Sequence, residues 1–523
     1  MPRPALPALA LVLGLWLPFL GKPVHVDDAN FLVLAQGARL DAWRPHAVSI
    51  NWQGRTESAF DVLSNPPGVA WWLAPMVGQP VWMLHLWMLP WLLLACWGAW
   101  QLGARFAGRP AAALLLLCGS PAAVLAAQSL TPDLPLFACA LAGVAGLTRE
   151  GSALERRWPW ALLLGAGALF RYSGAALIPL AALWPLLLRG RRGWREGLTL
   201  GLAAAVTLAA LLFHDAQAYG RLHLLAMTGF QGVADTPREL FRKAAASLAM
   251  LGGGLVLPVL AFGRPVPALS GMLVGILVGA FAGSLSDQSG GAALATMAFC
   301  GAGGAVLGGL LPGDEPEQRW DREAVFLLLW ALIGALFLLK LRFTATRYGL
   351  PFFIPVLLLG LRMAPWRAVQ VAVPLTLLLA GLLALDDLGL ARAQERLAAQ
   401  VDRIALQEAA GPGLFAGHWG WQHHLEARGW TALEEDAPIP KRVVFASSRA
   451  AWPQSAAPSC LVPLDRLVAP GPRWLPRVHS WTGAANFHAS ALSAEPVVES
   501  YAPWTFSSDP YDVVMIFQGC RGG

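Results

Sequence analysis

Two adjacent carboxylates, Asp27 and Asp28, stand in the stretch PVHVDDANFLVLAQ, just after an apolar run, Ala5–Leu20. A carboxylate so placed has the chemistry of a general base acting on a hydroxyl or an amine. A plainer reading stands beside it. Phe31, Leu34, Ala35 and Ala38 recur at helical spacing, which predicts an amphipathic helix lying in the membrane interface. Asp28 is then an N-cap or first-turn residue, where the helix end stabilises a carboxylate. Two Arg-Tyr pairs come later: Arg171-Tyr172 in FRYSG and Arg347-Tyr348 in TATRYGLPFFIP. A guanidinium suits a phosphate, and snorkelling to lipid headgroups is the alternative for Arg171. Asp133 in SLTPDLP reads as a helix cap. In NPPG, two prolines after Asn65 fix an extended turn. His418, His423 and His424 in GHWGWQHH are metal-ligand candidates, against a plainer reading as strand-end and helix-face residues.

The elements that must position these residues are membrane spans. The chain has 523 residues, of which 56% are hydrophobic and only 13% charged. Soluble domains carry roughly 25% charged residues, so this is a polytopic α-helical membrane protein. Its net charge of +6 reads as arginine in inner loops rather than as a nucleic-acid footprint. A span needs ~20 apolar residues, and about 13 candidates follow from the hydropathy. They are 4–21, 80–102, 110–128, 134–148, 158–170, 174–188, 197–213, 245–262, 266–284, 290–311, 324–340, 350–361 and 369–386. The first is read as a retained span, because Gly21-Lys22-Pro23 is a poor cleavage site. Spans 158–170, 174–188 and 350–361 are short and cluster around Arg171 and Arg347, as expected where backbone lines a cavity. Gly-rich spans 266–284 and 290–311 are expected to pack closely through small residues.

With the N-terminus inside, the inner loops hold Arg105 and Arg109, Arg149 to Arg157, Arg189 to Arg195, Arg264, Arg319 and Arg322, and Arg362 and Arg367. The positive-inside rule is then met at each inner turn. The outer side receives the long loop 22–79, the stretch Ala127–Asp133 and both Arg-Tyr turns. Ionisable residues within the spans are scarce, His85 being the clearest. An ion-coupled transporter places such groups near the midplane. One-sided polarity points instead to a site at the membrane surface. An odd number of spans places residues 388–523 outside too, as a small α/β domain. Its elements are a helical Leu390–Ala410, strands in GLFAGHW, KRVVFAS and DVVMIFQ, a short helix in GWQHHLEARGW, and loops over Ala451–Pro472. Cys460 and Cys520 lie in this part, and an outside location permits a disulfide; two free thiols is the other reading. Cys96, Cys118, Cys139 and Cys300 fall in apolar segments and read as inert small hydrophobes.

Taken in order, these motifs resemble the GT-C superfamily of integral-membrane glycosyltransferases. The similarity is to the bacterial branch of lipid A aminoarabinose transferases and protein O-mannosyltransferase-like enzymes. In that branch a first outer loop opens with Asp-Asp or Asp-Glu and runs into a helix, here Asp27, Asp28 and on to Ala35-Gln36. A His-Pro-Pro loop corresponds to Asn65-Pro66-Pro67, and Thr-Pro-Asp to Thr131-Pro132-Asp133. A Lys-Tyr-Ser/Thr-Gly turn corresponds to Arg171 through Gly174, and a late Arg-Tyr motif to Arg347, Tyr348, Pro351 and Pro355. Two departures stand out: Asn65 replaces the histidine and Arg171 replaces the lysine. The resemblance covers residues 1–390. It implies transfer of a sugar from a polyprenyl-phosphate carrier, with inversion, to a lipid, glycan or protein acceptor at the periplasmic face of a bacterial inner membrane. It implies Asp27 as base, with Asp28 supporting it or orienting the acceptor or a divalent metal. Arg347 and Arg171 then neutralise the leaving phosphate, and Tyr348 and Tyr172 bond the phosphate or sugar. The rival readings are a lipid or solute transporter, supported by the span count alone, and an O-antigen-type ligase, which needs a large outer loop late among the spans.

Overall fold

The computed structural model describes residues 5–52, 54–151, 153–231, 236–254, 264–286, 288, 290–311, 321–341, 343–408, 411–480, 485–488, 490–491 and 501–520. Each expected span coincides with a helix, from Leu6–Trp16 to Trp366–Gln407. For span 245–262 the described helix is Pro237–Gly254, and the rest lies outside the described residues. Among the described residues, 6 helices are long and apolar enough to cross a membrane. The pair Pro110–Cys118 and Pro121–Ala127, bent by 63°, makes a seventh if it acts as one span. Length and composition therefore support fewer spans than the hydropathy reading proposes. Leu6–Phe19 and Asp133–Leu147 are apolar but shorter. The expected spans 174–188 and 197–213 are two helices, Ile178–Arg189 and Trp194–Tyr219, which turn at Gly190 (φ 56°) and pack against each other, a Cβ at Gly197 meeting the Ala182 carbonyl.

Polar bonds tie the helix ends together. Trp16 donates its indole N–H to the Ala127 carbonyl at 2.9 Å, fixing the first helix to the bent pair. His85, the ionisable residue within the spans, contacts the Lys22 carbonyl through Nε2 at 3.2 Å, so its polarity serves packing. The expected glycine packing between Pro265–Leu285 and Gly290–Gly309 is present. A Cβ at Gly275 would run into the Cys300 carbonyl, so only glycine lets these backbones approach so closely. The opposite face of Pro265–Leu285 exposes Leu269, Leu273, Leu277 and Phe281, a stripe at helical spacing suited to lipid.

The last long helix, Trp366–Gln407, continues without a break through the expected domain boundary at residue 388 and carries the C-terminal part on its second half. Asp386 is the anchor. It takes the Arg477 guanidinium at 2.8 Å, the Tyr511 hydroxyl at 3.0 Å and the Val478 N–H at 2.8 Å. The C-terminal part holds a five-stranded sheet in the order Thr431–Ala432, Leu414–Ala416, Val444–Ser448, Asp512–Gly519, Leu461–Ala469. The first two pairings are parallel and the last two antiparallel. The expected strands and the helix Trp419–Glu426 are present.

One expectation is corrected. The stretch read as loop, Ala451–Pro472, contains the strand Leu461–Ala469. Pro463, one of the prolines in that stretch, sits on the sheet edge, beside a register shift opposite Ile516 and Phe517. A residue without an N–H is tolerated at an edge and a bulge. Cys460 and Cys520 form a disulfide, with Cα atoms 5.4 Å apart, closing the ends of these two edge-side strands. Cys96, Cys118, Cys139 and Cys300 are free and buried, as expected of inert hydrophobes.

Candidate active site

The turn before the carboxylates is strained. Val26 has φ of 46°, in the left-handed region that β-branched residues rarely enter. The helix Asp28–Leu40 begins immediately afterwards. Its Phe31, Leu34, Ala35 and Ala38 are all buried against protein, notably the short helix Gly68–Leu73, so this face is an internal packing surface rather than a lipid-facing one. Asp27 occupies the N-cap position, yet its side chain caps nothing. It turns instead to Arg347, whose Nη2 donates to Asp27 Oδ2.

Asp28 lies in the first turn and is fully buried. Its Oδ1 accepts from the Leu130 N–H at 2.7 Å, and its Oδ2 accepts from the His25 N–H at 3.3 Å. Asp28 thus bolts the loop after the first helix to the stretch that carries Asp133. Burial raises its pKa to about 6, against the pull of Lys22 and these backbone donors. Arg347 takes one oxygen of Asp27, and backbone N–H groups take both oxygens of Asp28.

Four charged residues from four distant segments meet here. Arg347 bonds Asp27, and its Nε lies 3.1 Å from Asp133 Oδ2, out of hydrogen-bond alignment. Arg171 donates to the other Asp133 oxygen. Its guanidinium stacks on the Tyr348 ring, 3.8 Å from the centroid. The two Arg-Tyr turns therefore interlock, the arginine of one on the tyrosine of the other. Asp133, expected as a cap, is the shared counter-charge for both arginines, and Arg171 is in the ion pair rather than snorkelling. Two guanidiniums held by two carboxylates give a nearly neutral cluster, which lowers the cost of burying each charge.

Tyr172 leaves this cluster. Its hydroxyl meets His223 Nδ1 at 2.7 Å. Asn65 also stands apart, taking part through its carbonyl, which lies 2.9 Å from His46 Nε2. The residue that replaces the histidine of the resembled motif thus has an imidazole from elsewhere in the same loop beside it. A Cβ on Gly68 would strike the Leu169 carbonyl, so the NPPG turn seats against the end of the helix Leu154–Phe170 only as glycine. Burial holds His46 neutral, lowering its pKa to about 4, and lowers that of His223 to about 2. Of the C-terminal histidines, His424 Nε2 contacts the Val24 carbonyl at 3.2 Å, and His418 packs near Trp52. The three form no metal-ligand group among the described residues.

The sequence reading missed a second layer. Arg347 Nη1 donates at 2.9 Å to the carbonyl of His488, in the C-terminal part. His488 Nε2 lies 2.7 Å from Asp387 Oδ1, and His25 Nε2 lies 3.1 Å from the same oxygen. The ammonium of Lys22 takes Asp387 Oδ2. The one available signal was a second Asp-Asp pair, Asp386-Asp387, at the end of the last span. A small cavity is lined by His25, Val26, Ser129, Thr131, Arg347 and His488, among others.

No family model matches the chain, and no curated protein matches it. Among solved structures it is similar to the crystal structure of ArnT from Cupriavidus metallidurans in the apo state, with 14% identity and a TM-score of 0.42 over 80% of this chain and 84% of that one. It is similar also to that of ArnT from the same organism bound to undecaprenyl phosphate, with 15% identity and a TM-score of 0.45 over 85% of this chain and 93% of that one.

Proposed function

We propose that this protein is an inverting membrane glycosyltransferase. It moves a sugar from a polyprenyl-phosphate carrier to a lipid, glycan or protein acceptor, at the periplasmic face of a bacterial inner membrane and with the C-terminal part in the periplasm. The observation that carries the reading is the Asp27–Arg347–Asp133–Arg171 cluster. It supplies a carboxylate and two guanidiniums beside a cavity and close to the ends of apolar helices. The motif order in the sequence supports the same reading.

On this mechanism the carrier's tail stays in the bilayer and its phosphate enters beside Arg347. A phosphate outcompetes a carboxylate for a guanidinium fork, because it offers more charge and more acceptor oxygens. Arg347 then shifts its bond from Asp27 to the donor, and Asp27 is freed to act as base. The acceptor hydroxyl or amine attacks the anomeric carbon from the face opposite the phosphate. The bond from that carbon to the phosphate oxygen breaks, the acceptor proton passes to Asp27, and polyprenyl phosphate leaves. Arg347 and Arg171 stabilise the charge growing on the leaving oxygen. Asp133 holds both arginines in place, and Asp28 keeps the base loop registered against Leu130.

The test is a radiolabelled transfer assay with purified protein and a panel of polyprenyl-phosphate sugars, beside Asp27→Asn. Transfer by the wild type from at least one donor, lost in the variant, supports the proposal. No transfer from any donor, or equal transfer by the variant, overturns it.

A further inference from the structure

We propose that His25, Asp387 and His488 bind a divalent transition-metal ion of the zinc class. The three side chains are buried, and their ligand atoms lie within 4.8 Å of one another. Each imidazole presents Nε2 to the same carboxylate oxygen, at 3.1 Å from His25 and 2.7 Å from His488. The rings stand edge to face, at 87°. Zinc takes imidazole nitrogen and carboxylate oxygen at about 2.0–2.2 Å, which places neighbouring ligand atoms about 3.4 Å apart. Adjustments of under an ångström bring the three side chains to that spacing.

The donor set selects the metal. Two imidazoles and one carboxylate suit zinc and its neighbours, whereas calcium and magnesium want oxygen. Asp387 Oδ2 is held by Lys22, the outer-sphere partner that fixes the carboxylate and leaves Oδ1 facing the imidazoles. Both imidazoles line the small cavity and Asp387 does not, so the fourth coordination position faces that cavity and takes a water or a phosphate oxygen.

The position gives the ion a task. His25 precedes the base loop, Asp387 ends the last span, and His488 belongs to the C-terminal part. The His488 carbonyl accepts from Arg347, and the Phe487 carbonyl accepts from the Thr346 N–H at 3.2 Å. An ion on the His488 ring therefore holds the segment that aims Arg347. These ligands are distinct from Asp27 and Asp28.

The experiment is metal content, read without turnover, so its outcome is separable from that of the transferase reading. Full-length, tag-free protein is stripped with chelator, loaded with zinc, dialysed and analysed by plasma mass spectrometry. The expected result is about one equivalent per chain, falling to background in both His25→Gln and His488→Gln. The double variant His423→Gln/His424→Gln should retain the metal. Background content in the wild type, or retention in both single variants, overturns the site. Asp387→Asn leaves Lys22 without its carboxylate, so the imidazole variants carry the test. Should they fail to fold, cobalt loading of the wild type decides. Visible bands of nitrogen-ligated tetrahedral cobalt support the site, and an aquo-like spectrum overturns it.

Discussion

Arg347 and Asp27 are bonded across 320 residues of sequence. The arginine proposed to hold the donor phosphate is thus tied, in the free protein, to the carboxylate proposed as base. The same guanidinium lies against Asp133 and the His488 carbonyl, so the Asp27 turn, the Asp133 helix and the C-terminal part meet at this one side chain.

Asp27→Asn should lower transfer at least about 100-fold, the lower range for a lost general base. Asp133 still pairs with Arg347, so the melting temperature in detergent should stay within a few degrees of wild type. Normal transfer in a folded variant would remove Asp27 from the mechanism.

Arg171→Lys keeps the charge but loses the planar stack on Tyr348 and the guanidinium bond to Asp133. Transfer should fall about 10-fold, through kcat more than through acceptor KM. Tyr348→Phe keeps the ring and should retain the stacking contribution, whereas Tyr348→Leu should resemble Arg171→Lys. Equal activity of the Phe and Leu variants would show that the stack does not position Arg171.

Val26 stores backbone strain at φ 46°, directly before Asp27. A left-handed non-glycine residue costs about 1–3 kcal/mol. Val26→Gly relieves that strain, partly offset by the entropy glycine adds to the unfolded chain, so stability should be unchanged or slightly higher. Val26→Pro fixes φ near −65° and should abolish transfer by turning Asp27 away from Arg347. An active Val26→Pro enzyme would mean that this turn does not place the base.

His46 supplies a pH dependence whose sign is fixed by burial. Its folded pKa, about 4, lies below the ordinary 6.5. Its contribution to stability is therefore complete above pH 6.5 and is lost as pH falls toward 4. Asp28 acts oppositely: its pKa is raised to about 6, so its contribution is complete below about pH 4 and is lost as pH rises through 6. The clean comparison is wild type against His46→Gln. Between pH 7 and pH 5 the wild type should lose about 2 kcal/mol more than the variant, read from thermal unfolding at both pH values. Parallel melting curves would show that His46 is not held neutral.

Much of the architecture was legible because a bilayer imposes long apolar runs that no other solvent demands. The positions of the helices, the glycine seam between Pro265–Leu285 and Gly290–Gly309, and the strands Leu414–Ala416, Val444–Ser448 and Asp512–Gly519 all follow from local pattern. So did the membership of Asp27, Asp133, Arg171, Arg347 and Tyr348 in one polar site, since charges gathered at one end of apolar spans have few places to go. Local pattern misread Leu461–Ala469, because Pro463 is a strand breaker except at an edge, and only the assembled sheet defines its edge.

Which side chains touch was decided by the tertiary structure alone. Neither the crossing of Arg171 onto Tyr348 nor the departure of Tyr172 to His223 has a local sequence cause. The same holds for Lys22, His25, Asp387 and His488, which are scattered across the chain and converge on one carboxylate. Periodicity reports which face of a helix is apolar. It carries no information on which distant helix end that face is packed beside, and the candidate site is assembled at those meetings of helix ends.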